Sequence, residues 1–395
     1  MGNGATDISI IIVNYRVKEY VALLLDSIQK SKKNLSIEIF IVDNNSNDGF
    51  YEYLNSEQGD IHFIRNSENA GFAKANNQGV ERACGSYTLL INPDTIIQED
   101  SLTAMKQYMD ETRDCGVLGF KMINPDGSFA KESKRSVPDL KTGMFRVLGL
   151  DVLFPKNRVF GSRYLGWLDK DEVAEVPVVS GAGMFWRTSV LKSLKGFDED
   201  FFMYGEDDDL CYRVQSTDYK INYFPLAKLL HFKGESERET SLKSLKKMNK
   251  GLKQFFNKHY KGRYNTISRG LISISFNLRT IIQYLFQKVT RKDKAKEAEI
   301  DSAVILCGTE KDFPDFLKDD ISSSLKTTPI CLGIKNIADR KEVLNNYDQI
   351  IFDTSSVSYT EAFITMERLR GSGTNFYFLL AKRKIVIGKS RVIKF

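Results

Sequence analysis

The sequence predicts an α/β fold: a mostly parallel sheet with helices on both faces, then a basic helical segment, then a small second α/β unit. Three observations carry this. Strand-like and helix-like stretches alternate four times within the first 91 residues, the pattern of βαβ units with right-handed crossovers. The strand-like runs 8–13 and 87–91 are almost wholly apolar, as strands buried on both faces are. A second alternation begins after residue 301.

Each element follows from local signals. Residues 8–13 are nearly all β-branched, and Asn14-Tyr15 closes the strand. Val21, Leu24, Leu25 and Ile28 recur at helical spacing within 17–30. Residues 38–42 form a second strand, ending on Asp43-Asn44-Asn45-Ser46, and Asp48-Gly49 turns into another helical stretch. Residues 61–65 read as the third strand and 72–84 as a helix of small residues. Gly85 leads into the fourth strand, 87–91, which stops abruptly on Asn92-Pro93-Asp94. A helix over 101–113 and a strand over 117–124 follow. Residues 128–172 are less regular and read as loops with a helix or two. A strand over 176–179 enters Ser180-Gly181-Ala182-Gly183, with 184–187 beyond it and a helix over 188–194. An aromatic stretch, 201–205, precedes four consecutive acids, Glu206 to Asp209, and a helix over 210–216. A strand covers 221–224, and His231 lies just past Leu229-Leu230.

Three regions are expected: a first domain over 1–240, a basic amphipathic helical segment over 241–296 and a small α/β domain over 297–395. The chain has 395 residues, more than one core usually serves. Its net charge of +6 hides an asymmetry. Residues 241–296 hold fifteen Lys or Arg against one acid, Asp293, so that segment is +14 and the remainder about −8. Three readings of this belt stay open: a nucleic-acid contact, a solvated helical hairpin, and an interfacial helix whose bases meet anionic lipid. Leu271, Ile274, Leu278, Ile281, Ile282 and Leu285 give it an apolar face, which together with the basic flanks favours the lipid reading over 264–296. No apolar run of 18 residues suggests a transmembrane helix, and the N-terminus lacks the basic and apolar regions of a signal peptide. The five cysteines, 84, 115, 211, 307 and 331, are scattered and odd in number. That fits reduced thiols in a cytoplasm and no zinc spacing.

The candidate chemistry lies at strand ends. In open α/β sheets ligands sit beyond the carboxyl ends of the strands. Asp94 is a carboxylate fixed there on a proline-stiffened turn, suited to a divalent cation and through it to a phosphate. One carboxylate suffices, because Mg²⁺ and Mn²⁺ commonly take one or two plus substrate phosphates. Asp43 ends a strand and reads equally as a nucleobase acceptor or an Asx turn. In the acid cluster, repulsion raises at least one pKa and favours a general base, while acids at a helix N-terminus also simply suit the dipole. At helical spacing Glu206 and Asp209 share a face, so one acid is expected in the cleft and the others on structural partners. A lone histidine such as His231 is more often packed than a ligand. Neither Gly181-Ala182-Gly183 nor Gly388-Lys389-Ser390 completes a phosphate loop.

Taken in order, ISIIIVNY, IVDNNSND, NSENAGFAKANNQG, YTLLINPDT, VSGAGMFWR, FDEDFFMYGEDDDLCYR and the later His231 resemble the family 2 glycosyltransferases of the GT-A type, especially their rhamnosyltransferase-like branch. The resemblance spans 8–240 and leaves 241–395 uncovered. It implies an inverting glycosyltransferase, dependent on Mg²⁺ or Mn²⁺, that moves rhamnose or a similar hexose from a nucleotide-diphosphate donor to a glycan or lipid-linked acceptor. By resemblance, Asp43 contacts the nucleobase; Asn14 and Tyr15 lie near the nucleotide; Gly71, Phe72 and Asn76 line the sugar-nucleotide pocket. Asp94 is the last acid of the metal-binding motif, whose first acid is here Asn92, placed with the nucleotide-sugar residues. His231 is a second metal ligand. Asp207 is the general base, with Glu206 beside it, and Gly181, Ala182 and Gly183 face the acceptor. A cytoplasmic location at the inner face of the membrane is expected, without nucleic acid as a partner. A catalytically silent binding scaffold of the same fold is the alternative, with a nucleic-acid-binding protein a third. Homo-oligomerisation and the role of 297–395 stay open.

Overall fold

The computed structural model describes residues 6–54, 61–235, 241–261, 303–308, 319–323, 329–334 and 347–395. The expected belt over 264–296, the linker after it and most of a helix expected near 313–324 lie outside those residues.

The N-terminal body is built on one large sheet. Its strands are β1 (Ile8–Asn14), β2 (Ile37–Asp43), β3 (Ile61–Arg65), β4 (Tyr87–Ile91), β5 (Thr95–Ile97), β6 (Cys115–Ile123), β8 (Ala174–Glu175), β10 (Gly183–Arg187) and β11 (Lys220–His231), while β7 (Lys134–Arg135) pairs separately with β9 (Val178–Val179). The order is β3-β2-β1-β4-β10-β6-β11-β5, with β8 beside β11. The β1–β2, β1–β4, β2–β3 and β6–β11 pairs are parallel, and β10 runs antiparallel between β4 and β6. The α/β class expected from the sequence is borne out.

Apolar strands take the centre because both their faces are covered. All of β1 and β4 is buried. Helices α1 (Lys18–Ser31) and α4 (Ser101–Glu111) cover one face through Leu24, Ile28, Leu102 and Met105; α3 (Phe72–Arg82), α7 (Thr188–Ser193) and α8 (Glu206–Val214) cover the other. Each such buried Ile or Leu contributes about 1.5–3 kcal/mol. Strand β11 is longer than expected: it runs on past Phe224 with a register shift between Phe224 and Lys228, where Pro225 removes a ladder donor. The irregular stretch contains α5 (Leu140–Val147) and α6 (Leu150–Leu153) beside a short helix, α2 (Phe50–Leu54), earlier in the chain.

Helix α9 (Ser241–Tyr260) returns across α8. A Cβ on Gly251 would stand 1.9 Å from the Tyr204 carbonyl oxygen, so only glycine allows this approach. Phe201, Phe255, Phe256 and Tyr260 form the small apolar cluster between them.

The C-terminal sheet has the order β13-β12-β14-β15-β16-β17, from β12 (Ala303–Cys307), β13 (Ile330–Gly333), β14 (Gln349–Asp353), β15 (Asn375–Leu380), β16 (Ile385–Gly388) and β17 (Arg391–Lys394), with α10 (Tyr359–Arg368) against it. It shares one apolar cluster with the N-terminal body, where Phe232 meets Phe378 edge-on at 6.2 Å. Polar contacts pin the join. The Glu99 carboxylate accepts the N–H groups of Tyr359 and Thr360 at the start of α10, and the Tyr359 hydroxyl donates to Asp26 at 2.6 Å.

Candidate active site

A cavity of about 560 Å³ opens where β1, β4 and β11 end. Tyr15, Asn44 and Phe72 line one end; Asn92, Asp94 and His231 line a second wall; Ser180, Gly181 and Glu206 to Asp208 line a third. Residues from α5 and α9, among them Thr142, Arg146, Met248, Leu252 and Phe256, close the outer side.

The first end is set by strand register. Asn14 and Asp43 are direct partners on β1 and β2. Hence the Asn14 amide donates to Asp43 Oδ1 at 2.8 Å and to Ser46 Oγ at 2.9 Å, and the Ser46 hydroxyl also donates to Asp43. Asp43 therefore acts here as the acceptor of a local turn at the strand end, accepting from Ser46 as well as from Asn14. Asn44 donates to the Gly71 carbonyl at 3.1 Å. Gly71 has φ +85, and a Cβ there would lie 2.8 Å from both the ring and the carbonyl oxygen of Phe202. Glycine is therefore required, and it ties this end to the aromatic stretch before the acids. Asn14, Asp43, Gly71 and Asn76 are set behind the lining rather than on it; Asn76 donates to the Phe72 carbonyl inside α3.

The second wall is also a consequence of pairing. His231 opposes Thr95 across β11 and β5, which brings its Nε2 to 3.4 Å from Asp94 Oδ1. The Phe232 N–H donates to the Asp94 carbonyl at 3.0 Å. Asp94 is buried. Burial works against its charge, yet the His231 ring, its hydrogen bond and the Glu235 N–H hold the carboxyl below the usual carboxylate range. Asn92 Oδ1 is buried without a hydrogen-bond partner, and the other amide atom lies 3.5 Å from His231 Nε2. A carboxylate, an imidazole and an orphaned amide thus converge on one corner, a donor set that fits Mg²⁺ or Mn²⁺ completed by substrate phosphates. Among the described residues no three His, Cys, Asp or Glu side chains gather into a closed metal site.

The acid cluster differs from the expectation of one acid in the cleft. The helix begins at Glu206, so all four acids occupy its first turn; Glu206, Asp207 and Asp208 line the cavity and Asp209 turns away. Glu206 and Asp209 therefore do not act from one face. Asp207 Oδ2 lies 2.5 Å from Arg135 Nη2 and accepts the Gly181 N–H at 3.0 Å. Burial alone would raise its pKa; Arg135 and these donors hold it below the usual range. Asp208 meets Arg163 at 3.2 Å. Burial, reinforced by the Asp207 charge, pushes Glu206 up to about 8, and its Oε2 has no partner. Asp209, fully buried, accepts from Arg213 at 2.9 Å and from Lys258 and His259 at 2.7 Å.

Gly181 and Ala182 line the cavity, and the Asn92 N–H donates to the Ala182 carbonyl at 3.0 Å, joining the second and third walls. Gly183 faces the core instead: a Cβ there would meet Leu229 at 2.7 Å. Arg135, Arg163 and His259 were missed by sequence reasoning. Arg135 sits on a two-residue strand inside a stretch without periodicity, and only the run of four acids hints that cations must face it.

Residues 9–164 match the family described as glycosyl transferase family 2. An N-acetylglucosaminyl-diphospho-decaprenol L-rhamnosyltransferase of Mycobacterium tuberculosis is 25% identical over 240 residues, 58% of this chain and 76% of that protein. Rhamnosyltransferase WbbL of Escherichia coli is 24% identical over 246 residues, 58% of this chain and 84% of that protein. Among solved structures, the mannosyltransferase PcManGT of Pyrobaculum calidifontis, in complex with GDP-Man and Mn²⁺, is similar at 17% identity with a TM-score of 0.45, over 66% of this chain and 65% of that one. The N-terminal body of this chain is thus similar to glycosyl transferase family 2 over residues 9–164, and to relatives named as rhamnosyltransferases.

Proposed function

We propose that the protein moves rhamnose or a similar hexose from a nucleotide-diphosphate donor to a hydroxyl of a glycan or lipid-linked acceptor, by a single inverting displacement, in the assembly of bacterial surface polysaccharide at the inner face of the membrane. The observation that carries this is the placement of the Asp94–His231 corner and the Asp207 carboxylate on two walls of one cavity. The names of the two bacterial rhamnosyltransferase relatives support the donor and acceptor classes.

In this reading the nucleobase lies at the end lined by Tyr15, Asn44 and Phe72, and Asp43, held by Asn14 and Ser46 just behind that lining, receives an N–H of the base once the lining shifts to admit it. Asp94 and His231 would hold Mg²⁺ or Mn²⁺, which when bound offsets negative charge on the diphosphate leaving group. The acceptor hydroxyl enters past α5 and α9. Asp207 takes its proton as the oxygen attacks the anomeric carbon. Arg135 keeps Asp207 ionised and therefore able to accept it. Glu206, neutral near pH 7, offers a hydrogen-bond donor to the bound sugar. No covalent intermediate with the protein is required.

The test is turnover with a panel of nucleotide sugars, dTDP-rhamnose, UDP-glucose and UDP-galactofuranose among them, in the presence of Mn²⁺. Hydrolysis or transfer with one donor is expected. Nucleotide binding without turnover on any donor would instead make the chain a silent binding scaffold.

A further inference from the structure

The exposed large apolar side chains of the described residues are not spread evenly. Six of the twelve fall within 144–159: Met144, Leu148, Val152, Leu153, Phe154 and Val159, each 51–69% exposed. They lie on and just beyond α5 and α6, which are packed locally by Phe160, edge-on to Phe145 at 5.2 Å and tilted against Phe154 at 5.7 Å. Exposed large apolar side chains gathered in so short a stretch mark an interaction site.

Its charge is one-sided. Lys141, Lys156 and Arg158 are exposed around it. The two acids in the same stretch are withdrawn: Asp139 accepts the Thr142 N–H at 2.7 Å as the cap of α5, and Asp151 is buried. Apolar side chains rimmed by bases, with no exposed acid between them, match the headgroup and acyl boundary of an anionic bilayer. A protein partner would require acids placed opposite each base; a bilayer supplies that charge wherever the bases fall.

The patch is also continuous with the cavity. Thr142, Gly143 and Arg146 of α5, with Pro138 just before it, line the cavity, while Met144 on the same helix and Leu148 at its C-terminal end are exposed. We propose that the α5–α6 surface seats the protein on an anionic lipid bilayer, with the cavity mouth turned to the headgroups. The inference rests on the lipid-linked reading of the acceptor for its purpose, but not for its test.

Full-length protein is floated with vesicles of phosphatidylglycerol and phosphatidylethanolamine, and separately with pure phosphatidylcholine. Binding to the anionic vesicles is expected, with about a tenfold loss of the bound fraction for the triple variant Leu148→Glu, Val152→Glu, Phe154→Glu. A second variant, Lys141→Glu, Lys156→Glu, Arg158→Glu, loses the salt-sensitive part of binding while its circular dichroism and melting temperature match the parent. Equal flotation of the first variant and the parent overturns the proposal. So does a parent that sediments as a dimer and becomes monomeric in that variant, because the patch is then covered by a second copy. Donor hydrolysis is measured on the same samples without vesicles. Its absence in the parent sinks the glycosyl-transfer reading alone; flotation that ignores the patch sinks this inference alone.

Discussion

Asp207 and Arg135 meet at 2.5 Å on the cavity wall, and both side chains are almost shielded from solvent. In the proposed mechanism the base has to be ionised before the acceptor arrives, and the Arg135 charge favours that state of Asp207. Asp207→Asn keeps the shape but removes the proton acceptor. The expected loss in kcat is roughly 10²–10⁴-fold with nucleotide affinity retained, read by steady-state kinetics and calorimetry. Turnover near the parent level would remove Asp207 from the chemistry.

Arg135→Met should act differently. It leaves Asp207 and Asp208 buried with less compensation, and breaking such a pair costs about 3–5 kcal/mol. The pKa of Asp207 then rises toward and above its ordinary value, so the acid limb of the kcat/KM profile moves to higher pH. A lowered melting temperature with an unmoved acid limb would show that Arg135 is only structural.

These cations also mark where the sequence stops being readable. The strands of the sheet could be named because buried strands must be apolar over their whole length, as β1 and β4 are. The strand-end carboxylates, Asp43 and Asp94, could be placed because a parallel sheet puts its ligands there. Which acids face the cavity could not, since that depends on where α8 begins, and its start is Gly205 at φ +93 with no side-chain cap to announce it. Arg135, Arg163 and the wall made by α9 come from segments brought in across long sequence separations, where no periodicity reports the contact.

Glu206 predicts a pH effect on stability. Its folded value, about 8, lies above the ordinary 4.5. The native protein therefore holds this proton longer than the unfolded chain. Stability is unaffected below about 4.5 and falls as pH rises through 4.5 to about 8. Glu206→Gln should match the parent near pH 4.5 and gain on it steadily up to pH 8.5, followed by thermal melts. Parallel curves for the two proteins would contradict the buried, unpartnered Oε2.

Asp209 has the opposite sign. Although burial alone would raise it, His259, Lys258 and Arg213 hold it down to about 2, below its ordinary 3.8. Its contribution, about 2 kcal/mol by linkage, is present above pH 3.8 and lost as pH falls through that window to about 2. Asp209→Asn should thus loosen α9 from α8 at pH 7, raising hydrogen exchange in 248–260, and differ little from the parent near pH 2. Unchanged exchange at pH 7 would mean that the apolar cluster of Phe201, Phe255 and Phe256 alone holds the helix.

The C-terminal unit reaches the Asp94 corner through Glu235 as well as through the Phe232–Phe378 contact. The Glu235 N–H supports the Asp94 carboxylate, while the Glu235 side chain, itself buried, accepts the Ser390 N–H at 2.8 Å and the Tyr20 hydroxyl at 2.9 Å. Ser390 belongs to the turn between β16 and β17, so that turn props the segment after His231, whose Glu235 N–H faces Asp94. Glu235→Ala removes both acceptors. It should weaken Mn²⁺-dependent nucleotide binding by at least roughly tenfold, the scale of outer-shell losses, while kcat at saturating Mn²⁺ stays near the parent value. Glu235→Gln should restore most of the affinity, because its amide oxygen can still accept from Ser390 while its amide N–H donates to the Tyr20 hydroxyl oxygen, whose one proton then goes to the Gly388 carbonyl 2.8 Å away. If Glu235→Ala lowers only the melting temperature and leaves Mn²⁺ dependence untouched, the C-terminal sheet braces the fold without touching the site.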